Sequence, residues 1–99
     1  EFTMRESYRN ITLEEVADIA SMTPNAFCRY FKQRTRKTYV NFLNEIRIAN
    51  VCKMLRDKEK SIAEISYQCG FNNLSHFNRN FKSIKGMSPR DYQKLVVKN

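Results

Sequence analysis

Apolar residues recur along this chain with the spacing of helices rather than of strands. Two stretches place them on a single helical face, at Leu13, Val16, Ala17 and Ala20 and again at Ile62, Ile65 and Cys69. Each stretch opens with a hydroxyl residue followed three positions later by Glu, at Thr12 to Glu15 and at Ser61 to Glu64. That pattern is typical of a capping box, in which hydroxyl and carboxylate both accept from backbone N–H groups. The chain therefore predicts two short helices, beginning after Thr12 and after Ser61.

A turn and a second helix follow each of these first helices. Pro24 directly after Thr23 is typical of a first helical position behind an N-cap, and Gly70 can adopt the left-handed backbone of a tight turn. The second helices are predicted at about residues 24–34 and 73–84. Each carries an i, i+4 aromatic pair that we expect to pack against the preceding helix, Phe27 with Phe31 and Phe77 with Phe81.

The two helix–turn–helix patterns are copies of each other. Residues 27–32 lie fifty positions before residues 77–82 and are identical to them at four of six positions. Upstream the matches continue at an offset of 49, as in Leu13 with Ile62, so the second copy has one extra residue in its turn. Two copies are too few for a solenoid, so we expect each to be a compact unit with its own small core.

A longer apolar pattern connects the two copies. Residues 39–57 are predicted to form one helix, about 28 Å long at 1.5 Å per residue, which approaches the ~34 Å between successive major grooves on one face of B-DNA. Its apolar side is expected at Phe42, Leu43, Ile46, Ala49 and Leu55, with Arg47, Lys53 and Arg56 outside. Residues 58–60 are the predicted hinge, and Ser88 with Pro89 is expected to start a last helix that carries Tyr92, Leu95 and Val96.

These patterns predict an all-α fold of about seven helices. The first helix–turn–helix unit would occupy residues 1–38, with a first helix cut short by the start of the chain. Residues 39–57 would form the connecting helix and residues 58–99 the second unit. Only 2 Gly and 2 Pro argue against a sandwich or barrel, which needs many turns.

The charge of the chain points to a polyanionic partner. Lys and Arg number 18 against 10 Asp and Glu, a net charge of +8. From Ile19 to Asn44, and again from Ile65 to Arg90, there is no acidic residue, so each unit has its own basic window. One histidine, no paired cysteines and no glycine-rich phosphate loop argue against a metal site, a cofactor and an enzyme. No apolar run is long enough to span a membrane, and no secretory signal is visible.

The second helices carry matching polar stripes on the face opposite their aromatic pairs. The stripes occupy i, i+3, i+4 and i+7, at Asn25, Cys28, Arg29 and Lys32 and at Ser75, Asn78, Arg79 and Lys82. Arg can bind the O6 and N7 atoms of guanine, Asn can bind adenine, and Lys can hold a phosphate. The stripes therefore favour insertion of each helix into a DNA major groove over a merely solvated face.

Several motifs of the second copy are similar to those of one family. Gly70-Phe71, Phe77-x-Arg79-x-Phe81-Lys82 and Ser88-Pro89-x-x-Tyr92 resemble the AraC/XylS family of bacterial transcription regulators. The resemblance implies that the third and sixth helices enter neighbouring major grooves of an asymmetric site. By position it implies base contacts from Asn25, Cys28, Arg29, Leu74, Ser75, Asn78 and Arg79. It implies phosphate contacts from Thr23, Lys32, Lys37, Asn73 and Lys82, and His76 is a further candidate for phosphate or a base edge.

The chain also departs from the family pattern. Arg36 stands where the family usually has Gly, which predicts either a strained left-handed turn or a turn built in another way. Cys28 is shorter than the usual residue, which predicts weak base reading by the first unit. The Cys28 thiol is expected to be a plain contact, with redox sensing as the alternative. Cys52 and Cys69 are expected in the core, and Tyr30, Tyr39 and Tyr67 at its edge. The resemblance further implies a cytoplasmic protein that contacts RNA polymerase. Many members of the family have a separate sensor or dimerisation domain, and small stand-alone members are the alternative.

Two other functions remain open at this point. A sequence-blind architectural DNA binder would use the same positive charge through its electrostatic attraction to phosphate alone. A basic helical module that docks on an acidic protein or an anionic membrane would use it without any DNA. Discrimination between DNA sequences separates the specific regulator from both alternatives.

Overall fold

The computed structural model describes residues 2–97, which fold into seven α-helices and contain no strand. The all-α prediction is therefore confirmed. In chain order the helices are α1 Phe2–Glu6, α2 Leu13–Ile19, α3 Pro24–Thr35, α4 Tyr39–Met54, α5 Ile62–Gln68, α6 Leu74–Lys85 and α7 Pro89–Val96. The helix pair α2 and α3 forms the first helix–turn–helix unit, and the pair α5 and α6 forms the second.

Side-chain caps define where six of these helices begin. In each case the oxygen of the cap accepts a hydrogen bond from the backbone N–H three residues later, at Thr12, Thr23, Thr38, Ser61, Asn73 and Ser88. Pro24 and Pro89 occupy the first turns of α3 and α7. Each cap satisfies a backbone donor that the helix itself leaves free, so local sequence is enough to fix these boundaries.

Only one of the two predicted capping boxes is complete. The Glu64 carboxylate accepts from the backbone N–H of Ser61 at 2.9 Å, which closes the second box. The Glu15 carboxylate instead accepts two hydrogen bonds from the Arg9 guanidinium, so the prediction for the first box is wrong in that half. These hydrogen bonds lower the pKa of Glu15 and, together with Glu6, raise that of Arg9.

Left-handed residues stand at equivalent places in the two units. Ser21 and Gly70, which align at the offset of 49, have φ of 58° and 108° in the turns after α2 and α5. Arg36 and Gly86, which align at the offset of 50, have φ of 65° and 78° at the ends of α3 and α6. Of the two alternatives at Arg36, the structure has the left-handed turn, and a side chain there carries a backbone strain that Gly86 does not.

The helices enclose two hydrophobic cores that share α4. The first core lies among α2, α3 and the start of α4 and contains Ile11, Val16, Ala17, Phe27, Tyr39 and Leu43. The second lies among α4, α5 and α6 and contains Ile48, Val51, Cys52, Leu55, Ile65, Cys69, Phe71, Phe77 and Phe81. The molecule is correspondingly elongated, at 49 × 23 × 22 Å. Each unit thus has its own core, as predicted, but neither core is complete without α4.

The prediction for the connecting helix needs three corrections. It ends at Met54 rather than at residue 57, because Leu55 caps it and turns into the second core with no exposed surface. Ala49 was expected on the apolar side and is exposed. Arg47 was expected outside and is 9% exposed, because its guanidinium bonds to backbone carbonyl groups of the segment before α2. The proposed hinge residues 58–60 lie in the exposed loop between α4 and α5.

Other expectations about the core hold only in part. Cys52 and Cys69 are buried as predicted, whereas Tyr39, expected at the core edge, is buried within the first core. Tyr30 and Tyr67 are 45% and 51% exposed, so their placement at the core edge is wrong. Ala20 is also exposed, since α2 ends at Ile19 and the helical spacing no longer applies to the next residue. Leu95, expected in the last helix, lies within α7 but is 60% exposed.

Candidate nucleic-acid interface

The helices α3 and α6 each separate an aromatic face from a polar face. Phe27, Phe77 and Phe81 are buried, and Phe31 is half-buried against Tyr39 and Phe42. Every residue predicted to contact DNA bases is exposed, namely Asn25, Cys28, Arg29, Leu74, Ser75, Asn78 and Arg79. Every residue predicted to contact phosphate is exposed as well, namely Thr23, Lys32, Lys37, Asn73, His76 and Lys82. The aromatic pairs therefore fix which side of each helix faces solvent.

The cations of the two stripes are mostly free of carboxylate partners. Among residues 2–97, no carboxylate lies within 4.0 Å of Arg29, Lys32, Arg79 or Lys82. Lys37 differs, since its ammonium lies 2.7 Å from the Glu45 carboxylate. A surface cation without a carboxylate partner can bind a phosphate without breaking an existing ion pair, whereas Lys37 must first break its ion pair with Glu45.

The starts of α3 and α6 are built in the same way. The Thr23 hydroxyl accepts from Ala26 N–H at 3.2 Å, and the Asn73 side-chain oxygen accepts from His76 N–H at 2.8 Å. These bonds leave other first-turn N–H groups pointing outward at the positive end of each helix dipole. The His76 ring lies 6.3 Å from the Phe71 ring, beside the start of α6. Both helix starts are therefore suited to an anion, with Thr23 and Asn73 holding the backbone rather than reaching outward.

A polar contact that the sequence did not indicate anchors α6 to α4. The Asn44 side chain, 5% exposed, donates to the Asn80 side-chain oxygen at 3.1 Å. Asn80 in turn donates to the backbone carbonyl of His76 at 2.8 Å. The only signal available in the sequence was that Asn80 replaces Tyr30 of the first copy, and nothing pointed to Asn44 as its partner. These hydrogen bonds hold α6 against α4.

One open cleft is lined by residues of both α3 and α6. Lys32, Arg36 and Lys37 line it from the end of α3, Asn41 and Asn44 from α4, and Asn80 and Ser83 from α6. The C-terminal part of α3 and the middle of α6 therefore face the same depression of the surface. Three cations and the Glu45 carboxylate line the cleft, so its net charge is positive and complements the negative charge of a nucleic-acid backbone.

The three cysteines lie in different environments. Cys28 is exposed on α3, whereas Cys52 and Cys69 are buried, and burial raises the pKa of the Cys69 thiol. Within residues 2–97, no three His, Cys, Asp or Glu side chains come together as metal ligands would. None of the helices in that range has the length and apolar character required to cross a membrane.

The chain is similar to known proteins in both sequence and fold. The family described as helix-turn-helix domain matches residues 16–95. A probable AraC family transcriptional regulator from Rhodopseudomonas palustris CGA009 has the same fold, with a TM-score of 0.89 at 18% identity over 98% of this chain and 92% of that one. The chain belongs to the AraC family. It is similar to the uncharacterized regulator YdeC of Bacillus subtilis strain 168, with 35% identity over 85 residues.

The AraC-family relatives are much longer than this chain. The match to YdeC covers 86% of this chain but 29% of that protein. The match to the transcriptional activator RhaS of Escherichia coli O1:K1 has 35% identity over 81 residues and covers 82% of this chain and 29% of the activator. The family match and these regulators together identify the chain as an AraC-type DNA-binding helix-turn-helix domain of transcription regulators.

Proposed function

We propose that this AraC-type domain binds a specific double-stranded DNA sequence, with α3 and α6 in adjacent major grooves, and so regulates bacterial transcription. Residues 1–38 and 58–99 would act as the two reading units, and residues 39–57 would connect them. The intact regulator would work in the cytoplasm, would contact RNA polymerase and would include a separate sensor or dimerisation domain.

Each stripe would combine base reading with phosphate contact. Arg29 and Arg79 have the planar donor geometry that suits guanine, and Asn25 and Asn78 have the donor and acceptor that suit adenine. The shorter groups would add contacts to base edges, from Cys28, Leu74 and Ser75. The outer groups would hold the backbone, from Thr23, Lys32, Lys37, Asn73, His76 and Lys82.

The observation that carries this proposal is the duplication of one exposed, acid-free stripe on two helices that share a cleft. In both units the Arg and the Lys are exposed and lack a carboxylate partner among the described residues. A merely solvated face has no reason to repeat Arg and Lys at equivalent positions of both helices, with a small uncharged residue at each of the other two positions. The 16 residues of α4 span about 24 Å, which is of the order of the ~34 Å groove repeat once side chains are added.

Sequence-blind binding makes a different demand on the same surface. It would need phosphate contacts alone, so the exposed Asn25 and Asn78 of the stripes, and Leu74 beside the second stripe, would have no role in binding. Specific domains bind their sites about a thousandfold or more tighter than other DNA at physiological salt. Discrimination of that size is what the proposal requires.

Selection of bound duplexes from a random library tests the proposal directly. We expect one enriched, asymmetric sequence with two conserved base groups about one helical turn apart, and a footprint that spans two major grooves. Enrichment of no sequence would indicate the architectural binder. A palindromic site or a footprint over one groove would contradict the use of both helices by one molecule. Salt titration of the selected site then measures how many phosphates are contacted.

A further inference from the structure

Arg47 is a buried cation on the helix that both units share. Its Nε donates to the Ser7 carbonyl at 2.8 Å, and its Nη2 donates to the Arg9 carbonyl at 2.6 Å. The guanidinium also lies 6.0 Å from the centre of the Phe71 ring, at the turn before α6. A buried guanidinium is tolerated only when its donors find acceptors. Here those acceptors are backbone groups of residues 7–9, which we call the strap.

The strap is held on its other side by the turn of the second unit. Ser7 is 2% exposed and its hydroxyl accepts from the Asn50 side chain at 3.4 Å. A Cβ atom on Gly70 would overlap the Ser7 carbonyl oxygen and would come within 2.6 Å of Arg47 Nε. Only glycine at position 70 therefore lets the strap lie between α4 and the turn that leads into α6.

The strap is attached to the first unit at the same time. The Arg9 side chain binds the Glu15 carboxylate of α2, and its guanidinium lies 5.6 Å from the Phe2 ring. Just before the strap, Thr3 Oγ1 and Tyr39 Oη share a hydrogen bond of 2.6 Å in the first core. One short segment thus contacts α2, α4 and the α5–α6 turn, and Arg47 is the side chain that binds its backbone.

We propose that Arg47 is a positioning residue that sets how α6 is placed relative to α3. By fixing the strap against the Gly70 turn, it determines which separation of the two base groups a single molecule can read at once. This inference rests on the proposed function, because it presumes that both helices engage one site. Arg47 itself contacts no DNA in this arrangement.

Joint binding by two linked units depends on how firmly they are held. When the geometry matches the site, the second unit binds at a high effective concentration, and that gain falls as the link loosens. Arg47→Met keeps the aliphatic length of the side chain but removes both donors to the strap. Each reading helix keeps all of its own contacts, so binding to either base group alone should not change. Lys53→Met is the matched control, since it removes one charge from an exposed position of the same helix.

The experiment measures dissociation constants for three kinds of duplex. These are the selected site, the site with either base group scrambled, and sites with one or two base pairs inserted or deleted between the groups. For Arg47→Met we expect affinity for the intact site to fall at least about tenfold, with less than about twofold change on the scrambled sites. The dependence on spacing should flatten in this variant. Lys53→Met should keep the wild-type spacing profile.

The distance between α3 and α6, measured in the free protein, gives a second test that does not depend on stability alone. Spin labels on the exposed Cys28 of α3 and on Ser83→Cys of α6 report the separation of the two helices, while Cys52 and Cys69 are buried. We expect a broader distance distribution for Arg47→Met than for wild type. Asn50→Ala, a milder loosening of the same strap, should broaden it less and keep the protein folded if Arg47→Met does not fold.

The outcomes separate this inference from the function on which it rests. A wild-type protein that binds all spacings alike would contradict joint reading by α3 and α6. A wild type that is selective for spacing, with unchanged selectivity in Arg47→Met and Asn50→Ala, would overturn the positioning role alone. An equal loss on intact and scrambled sites, in proportion to the folded fraction, would also overturn it.

Discussion

Replacing Arg36 by glycine should stabilise this domain, although it removes a side chain. Arg36 ends α3 in the left-handed conformation, with φ of 65° and ψ of 13°, and its equivalent in the second unit is Gly86. A side chain in that conformation costs about 1–2 kcal/mol. Glycine removes this cost but adds unfolded-state entropy worth about 0.5–1 kcal/mol. The net expectation is a gain of about 0.5–1 kcal/mol in the free energy of unfolding, or roughly 2–8 °C in Tm.

Urea and thermal unfolding followed by helical circular dichroism measure this gain. Arg36→Ala is the control, because it removes the same charge and side chain while keeping the left-handed strain. Gly86→Ala is the mirror experiment, and it should lose about as much as Arg36→Gly gains, because a Cβ there meets no atom within 4 Å. Equal stability of Arg36→Gly and Arg36→Ala would refute the reasoning from backbone strain.

Three further expectations concern binding, packing and pH. Arg79→Ala should cost about 1–3 kcal/mol of DNA-binding free energy and relax base preference at one or two positions, whereas Lys82→Ala should weaken binding to all duplexes alike and reduce the salt slope by about one. Competition binding with single-base variants of the site distinguishes the two substitutions. Equal losses on every duplex would contradict direct readout by α6. Phe77→Ala should lower the free energy of unfolding by about 3–5 kcal/mol, because the ring is fully buried, and a loss near zero in urea unfolding would contradict that packing. The hydrogen bonds from Arg9 lower the pKa of Glu15 in the folded state, so the ionised carboxylate stabilises the fold at pH values above the unfolded-state pKa of Glu. This stabilisation is lost as the pH falls through the lower pKa of the folded state. Unfolding between about pH 5 and pH 3 should therefore depend less on pH in Glu15→Gln than in the control Glu14→Gln.

Local signals in the sequence were sufficient for most of the helices and for the orientation of the reading faces. The caps at Thr23 and Asn73 act within one turn, so spacing alone reveals where α3 and α6 begin. The repeat then predicts that both second helices carry Arg and Lys at equivalent positions of a polar stripe. Exposure of Arg29 and Arg79 follows from the burial of the aromatic residues on the opposite face.

Contacts between distant segments were beyond the reach of spacing rules. The helical period identifies a face of a helix but not the segment that covers it. Spacing therefore predicts an exposed Arg47, whereas the strap covers this side chain. The helix α4 touches two cores, and its buried residues Tyr39, in the first core, and Cys52, in the second, lie on different sides of the helix. A single apolar stripe is therefore the wrong template for it. The bond from Asn44 to Asn80 was missed for the same reason.

The shared α4 has a consequence for how the molecule comes apart. Its first half completes one interior and its second half completes the other, with Leu43 in the first and Ile48 in the second. Thermal unfolding of either unit must expose apolar residues of the other core, because both cores are completed by α4. We therefore expect the two units to unfold in one cooperative transition. A protease that cuts within α4 would leave two fragments, each with an uncovered half-helix and neither able to fold by itself.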